Sequence, residues 1–120
     1  MSYDTNLADR IRSYFEGRAD IQEKQMFGGL AFMLHGHMCV GATEHRLMAR
    51  VGPKQYPQAL SDMHATIMDF TGKPLNGFVY VEPEGFSSEQ GLSGWIVQCE
   101  SFVDTLPPKA SFKEAIVDAH

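Results

Sequence analysis

His35 and His37 are the first residues of this chain whose types and spacing could do chemistry. Two apart on an extended strand, their imidazoles project from one face and could begin a zinc site. A third ligand is harder to place. His45 lies at the far end of the following strand, roughly 20 Å away at ~3.3 Å per residue; His64 falls in another loop and His120 is the final residue. The pair therefore reads as turn histidines, and no metal or other cofactor is expected. Cys39 and Cys99 stand sixty positions apart without a Cys-x-x-Cys spacing. Each sits inside an apolar pattern, where a thiol behaves as a small hydrophobe, so free buried thiols are expected. Ser87, Ser88 and Ser93 lie at or near a helix start, where capping accounts for them. Gly28-Gly29 lacks the following Lys-Ser/Thr of a phosphate-binding loop. Glu82 and Glu84 flank Pro83, and Asp69 precedes Thr71-Gly72. Acids beside Pro and Gly read as solvated turn residues rather than an acid–base pair. No catalytic residue is assigned, and an enzyme is not expected.

Two cations offer more. Arg50 interrupts an apolar strand on the face opposite Leu47, Ala49 and Val51. Its stem can lie on that face while the guanidinium reaches water or pairs with Asp69 or Glu82; in the functional reading it anchors an acidic partner or a small anion. Lys73 lies in a Gly72-Lys73-Pro74 loop. Arg50, Lys73, Phe27, Gly28 and Gly29 are the candidate ligand- or partner-binding residues. Met26, Met33, Met38 and Met48 fall on the predicted strands and form either core or, if the second face of the sheet is bare, an adaptable interface.

The elements that must position these residues follow from periodicity. Leu7, Ile11, Tyr14 and Phe15 make a helical stripe over about Thr5 to Glu16, with Asp4, Thr5 or Asn6 as cap and Gly17 at its end. Lys24 to Leu34 reads as one strand, with Gly28-Gly29 marking a bulge or a close backbone approach. Turns at Gly36-His37 and Glu44-His45 lead into Met38 to Ala42 and Arg46 to Val51, completing a three-stranded meander. Gly52-Pro53 reads as a helix start, but Pro57 would break a helix begun there, so the alternative is a short helix starting at Tyr56-Pro57. The runs Ile67 to Phe70 and Phe78 to Val81 flank a loop of Gly72, Pro74, Asn76 and Gly77 and read as two strands. Leu92, Trp95, Ile96, Cys99, Phe102, Val103 and Leu106 keep helical spacing, with a capping box from Ser87 to Gln90 and Pro107-Pro108 as the stop. Residues 110–120 read as a short helix over Phe112 to Val117 or as a loose tail. The order α-β-β-β-α-β-β-α predicts a two-layer α+β domain, an antiparallel sheet with its helices on one face.

Composition narrows the function classes. The 120 residues make a single domain, 1–120, that buries roughly 65% of its unfolded surface. Ten basic against fifteen acidic side chains leave a charge of −5, and the basic residues never run three together. Nucleic-acid binders gather Lys and Arg on one face, so direct binding to nucleic acid is not expected. No apolar run approaches the ~20 residues of a membrane span, and Met1-Ser2-Tyr3-Asp4 lacks a leader's basic-then-apolar order. The expected compartment is the cytoplasm.

Met26-Phe27-Gly28-Gly29, the stretch from Met68 to Gly85 with its Phe70-Thr71-Gly72-Lys73-Pro74 motif, and Leu106-Pro107-Pro108-Lys109 occur in an order that resembles the N-terminal domain of the TfoX/Sxy family of bacterial competence regulators. The likeness runs from about Gln25 to Lys109. It implies the same α+β arrangement, similar to that of type III secretion chaperones. Longer family members add a C-terminal helical domain and regulate competence genes with other transcription factors; the eleven residues after Lys109 lead us to expect the stand-alone N-terminal domain here. The family implies no catalytic residues. It implies an interaction or regulatory module that binds a protein partner or, as a homodimer, itself. The alternative reading is a small-molecule, anionic-ligand binder or minor enzyme with a pocket between sheet and helices.

Overall fold

Residues 3–69 and 72–107 are described by a computed structural model of the chain. Helix α1 spans Thr5–Tyr14, and strands β1 (Ile21–Met26), β2 (Gly29–Leu34), β3 (His37–Thr43) and β4 (Arg46–Arg50) follow. Then come α2 (Tyr56–Leu60), β5 (Ala65–Ile67), β6 (Phe78–Val81) and α3 (Glu89–Val103). The strands form one antiparallel sheet in the order β1-β2-β3-β4-β6-β5. Phe70 and Thr71 of the fifth predicted strand and its loop, Pro108 of the helix stop, and the 110–120 tail lie outside the described residues.

The predicted single strand over 24–34 is a hairpin. Met26 pairs with Gly29 across a two-residue turn in which Phe27 and Gly28 take φ of 56° and 73°. Those are the left-handed angles a type I′ turn demands at both central positions. Two more two-residue turns follow, with His35 (φ 55°) and Gly36 (φ 85°) between Leu34 and His37, and Glu44 (φ 54°) and His45 between Thr43 and Arg46. The second lies one residue earlier than the expected Gly36-His37. Glycine is the costly residue inside a strand but the favoured one in such a turn, so Gly28 marks a reversal rather than a bulge, whereas Gly29 marks the expected close backbone approach, against the Ala42 carbonyl.

A true bulge lies one strand later. Phe32 pairs with Val40 and Met33 with Met38, leaving Cys39 as the extra residue on β3. Cys39 thereby joins Val40 in the main core.

All three helices cover one face. Leu7, Ala8 and Ile11 of α1, Ala59 of α2, and Leu92, Trp95, Ile96, Cys99 and Val103 of α3 share a core with Leu30, Phe32, Leu34, Leu47, Ala49, Val79 and Val81 from the sheet. Burying each large side chain there stabilises the fold by about 1.5–3 kcal/mol. Asp4 caps α1 through Asn6 N at 2.8 Å, and Ser88 caps α3 through Gly91 N at 2.9 Å, one residue beyond the expected cap. The predicted α+β class and its one-sided helical layer are what the chain forms. The second face is covered as well. Ala31, Met33, Met38, Met48, Met68 and Tyr80 make a smaller cluster, with Met26, Phe27, Leu75 and Phe78 packed against it. Met33, the most exposed of the six, is 9% accessible, so these methionines are a second core and not a bare patch.

Candidate functional site

Alternation along β4 sends Leu47 and Ala49 into the helical core and leaves Met48 and Arg50 on the second face. Arg50 closes the strand, and the chain then turns sharply. The Gly77 carbonyl accepts from Val51 N at 2.8 Å and Gly52 N at 3.0 Å, binding the end of β4 to the start of β6. Gly52 holds φ 89°, and a Cβ there would run into the Phe102 ring. Only glycine lets that ring approach so closely.

Arg50 lies among these aromatics. Its guanidinium carbon is 5.2 Å from the centroid of Phe78 and 5.5 Å from that of Phe102, both within cation–π reach. Nη1 donates to the Met38 carbonyl, beside the β3 bulge, at 3.3 Å. The expected acids are elsewhere. Glu82 sits 3.5 Å from His45, and neither it nor Asp69 pairs with Arg50. Every other described arginine has a carboxylate. Arg10 lies 3.7 Å from Glu89, Arg12 reaches Asp9 and Glu23 at 2.6 Å, Arg18 reaches Asp20 at 3.0 Å and Glu100 at 2.9 Å, and Arg46 reaches Glu44 at 3.4 Å. Among the described arginines, Arg50 alone has no acidic partner. Burial pulls its pKa down, whereas hydrogen bonds to Glu23 and to Asp20 and Glu100 push Arg12 and Arg18 up.

The other sequence-selected residues are scattered around this centre. Phe27 packs edge-on against Phe78 at 6.2 Å, so the first hairpin turn and Arg50 share one ring. Gly28 and Gly29 border a notch of about 230 Å³ at that turn. A Cβ at Gly29 would collide with the Ala42 carbonyl oxygen, which gives this glycine a packing role. Lys73 is exposed in the loop before β6, and the structure does not bring it to Arg50. Phe78 and Phe102 were not singled out from sequence as binding residues. Phe102 belongs to the α3 stripe, and helical spacing alone does not separate a core aromatic from a half-buried one at the rim.

Both turn histidines have a structural partner. His35 Nε2 lies 3.3 Å from Asp20, and His37 Nε2 lies 2.7 Å from the Pro107 carbonyl oxygen. No group of three or more His, Cys, Asp or Glu among the described residues could hold a metal ion. Cys39 and Cys99 are free and buried; burial pushes Cys39 up to about 12 and Cys99 well above its ordinary value. A cleft of about 490 Å³ between α1 and β1 is bordered by Arg12 and Arg18, both already committed to acids. Glu100 on α3 accepts from Tyr14 Oη at 2.8 Å and from Arg18, joining α3 to α1 and the loop after it. Burial first, then that hydrogen bond, raises the Tyr14 phenol to about 12. A groove of about 430 Å³ runs beside Phe102, with Val51, Pro53, Lys54, Gln55 and Gln98 along it.

No helix among the described residues is long and apolar enough to cross a membrane. Residues 13–103 match the TfoX N-terminal domain family. No curated protein and no solved structure matches the chain.

Proposed function

The chain belongs to the TfoX N-terminal domain family, and from that premise we propose that it is a non-enzymatic regulatory module of the cytoplasm that works by protein–protein contact. The contact surface is the free edge of β5, and its first partner is a second copy of the chain. One observation carries this reading. Of the three large hydrophobics left exposed among the described residues, Met63 (88%) and Ile67 (47%) flank or belong to that outer strand. An unpaired edge with apolar side chains beside it favours strand addition. A two-fold axis normal to the sheet centred on Thr66 sets Ala65 against Ile67 of the copy and opposes no charges.

Light scattering on size-exclusion fractions tests the proposal. Wild type is expected to run as a dimer and Ile67→Lys as a folded monomer. A wild type that stays monomeric at all concentrations, and that captures nothing from extract, contradicts it.

A further inference from the structure

We propose that Arg50, held between the Phe78 and Phe102 rings, is the anchor of a binding site for a small monocarboxylic acid with an apolar body. The site lies at the sheet end beside the C-terminal part of α3, and the proposal stands independently of self-association through β5.

Three observations lead there. A chain with net charge −5 supplies acids freely, and Arg10, Arg12, Arg18 and Arg46 each have one. Arg50 is half-buried with none among the described residues. Withdrawing a guanidinium from water without a counter-charge is costly, and a bound carboxylate would offset that cost. Second, the backbone carbonyl of Met38 uses one N–H of a planar fork, and the remaining donors suit the two oxygens of a carboxylate. Third, the flanking surfaces are aromatic, and Phe102 is also a wall of an adjacent groove, lined besides by Val51 and Pro53 and by the polar Lys54, Gln55, Gln98, Ser101 and Thr105, so that this ring separates Arg50 from the groove. That groove, about 430 Å³, has room for a small organic body against the Val51, Pro53 and Phe102 side chains.

A single cation in an acidic protein suits a singly charged ligand better than a phosphate or a polyanion. Met38, Gly52 and Gly77 shape the site through backbone alone, which leaves Arg50 as the chemical determinant.

The test is a heteronuclear NMR titration of the full chain with benzoate, phenylacetate and hexanoate, with benzamide and inorganic phosphate as controls. Saturable shifts are expected in the Arg50 side-chain N–H and in the amides of Gly52, Phe78 and Phe102. Benzamide should bind at least about tenfold more weakly than benzoate, the loss of a charge-assisted fork. Arg50→Met should weaken benzoate by a similar factor while keeping a dispersed spectrum, and Arg50→Lys should fall between. If Arg50→Met does not fold, the wild-type shift map with benzamide as comparator decides alone. Several results overturn the proposal: no saturable shifts with any of the three acids, shifts that map away from Arg50, benzamide binding as well as benzoate, or an acidic peptide binding where the small acids do not.

Discussion

Glu100→Gln asks whether α1 is clamped to α3 by a charge as well as by the core. The Glu100 side chain is 18% exposed and accepts from Tyr14 at 2.8 Å and Arg18 at 2.9 Å. Gln keeps the shape and one acceptor but removes the charge. A hydrogen bond to a charged group contributes about 1.5–3 kcal/mol. Arg18 retains Asp20 at 3.0 Å, and solvent screens the pair, so the expected loss is about 1–2 kcal/mol, or roughly 4–8 °C in Tm. The Tyr14 phenol reports the same clamp. Burial is the larger cause of its rise to about 12, so in Glu100→Gln the pKa should drop without returning to the ordinary 10. The folded chain holds the phenol neutral while the unfolded chain releases the proton near pH 10. This stability is therefore intact below pH 10 and lost as pH rises through 12. Discounted for a partly exposed ring, it amounts to about 1–2 kcal/mol. Ultraviolet absorbance titration, with Tyr14→Phe to assign the phenol, and denaturant unfolding at neutral and alkaline pH measure both effects. A Glu100→Gln protein as stable as wild type, with Tyr14 titrating unchanged, would refute the clamp.

Three further outcomes test the packing. Gly94 is exposed in mid-α3 with open space where a Cβ would sit, so Gly94→Ala should stabilise by about 1 kcal/mol; Gly29→Ala drives its Cβ into a backbone oxygen and should cost about 3 kcal/mol or more, both read by denaturant unfolding. Cys39 and Cys99, with thiols raised by burial, should resist a thiol reagent in the native protein at neutral pH and label fully in denaturant; rapid native labelling of either contradicts their placement.

Much of the architecture was legible because the apolar spacing was unambiguous. The α3 stripe from Leu92 to Val103 and the alternation of Leu47, Ala49 and Val51 led directly to the helical layer and to β4. The first hairpin was missed because Gly28-Gly29 stands inside an apolar run, and Phe27 is an unusual occupant of a left-handed turn position. The fifth strand was placed late because Ile67 and Met68 are the more apolar pair, whereas pairing with β6 begins at Ala65. At the candidate site, Arg50 announced itself as a charge in an oily strand. Its lack of an acidic partner did not, since that depends on where Asp69 and Glu82 fall in space. The second core was equally hidden, because Met68 and Leu75 reach the meander's methionines only through the tertiary fold.

The two borders of the sheet are unlike each other, and this limits how large an assembly can grow. Joined through β5, two copies would present only β1 strands at their outer margins. Adding further copies there requires β1 to meet itself. About a two-fold axis normal to the sheet, which sets one residue against its own copy, the registers of longest overlap centre on Glu23 or Lys24, placing carboxylate against carboxylate or ammonium against ammonium. Like charges at that contact disfavour further β1-to-β1 addition, so a pair joined through β5 would gain little from extending at its outer margins.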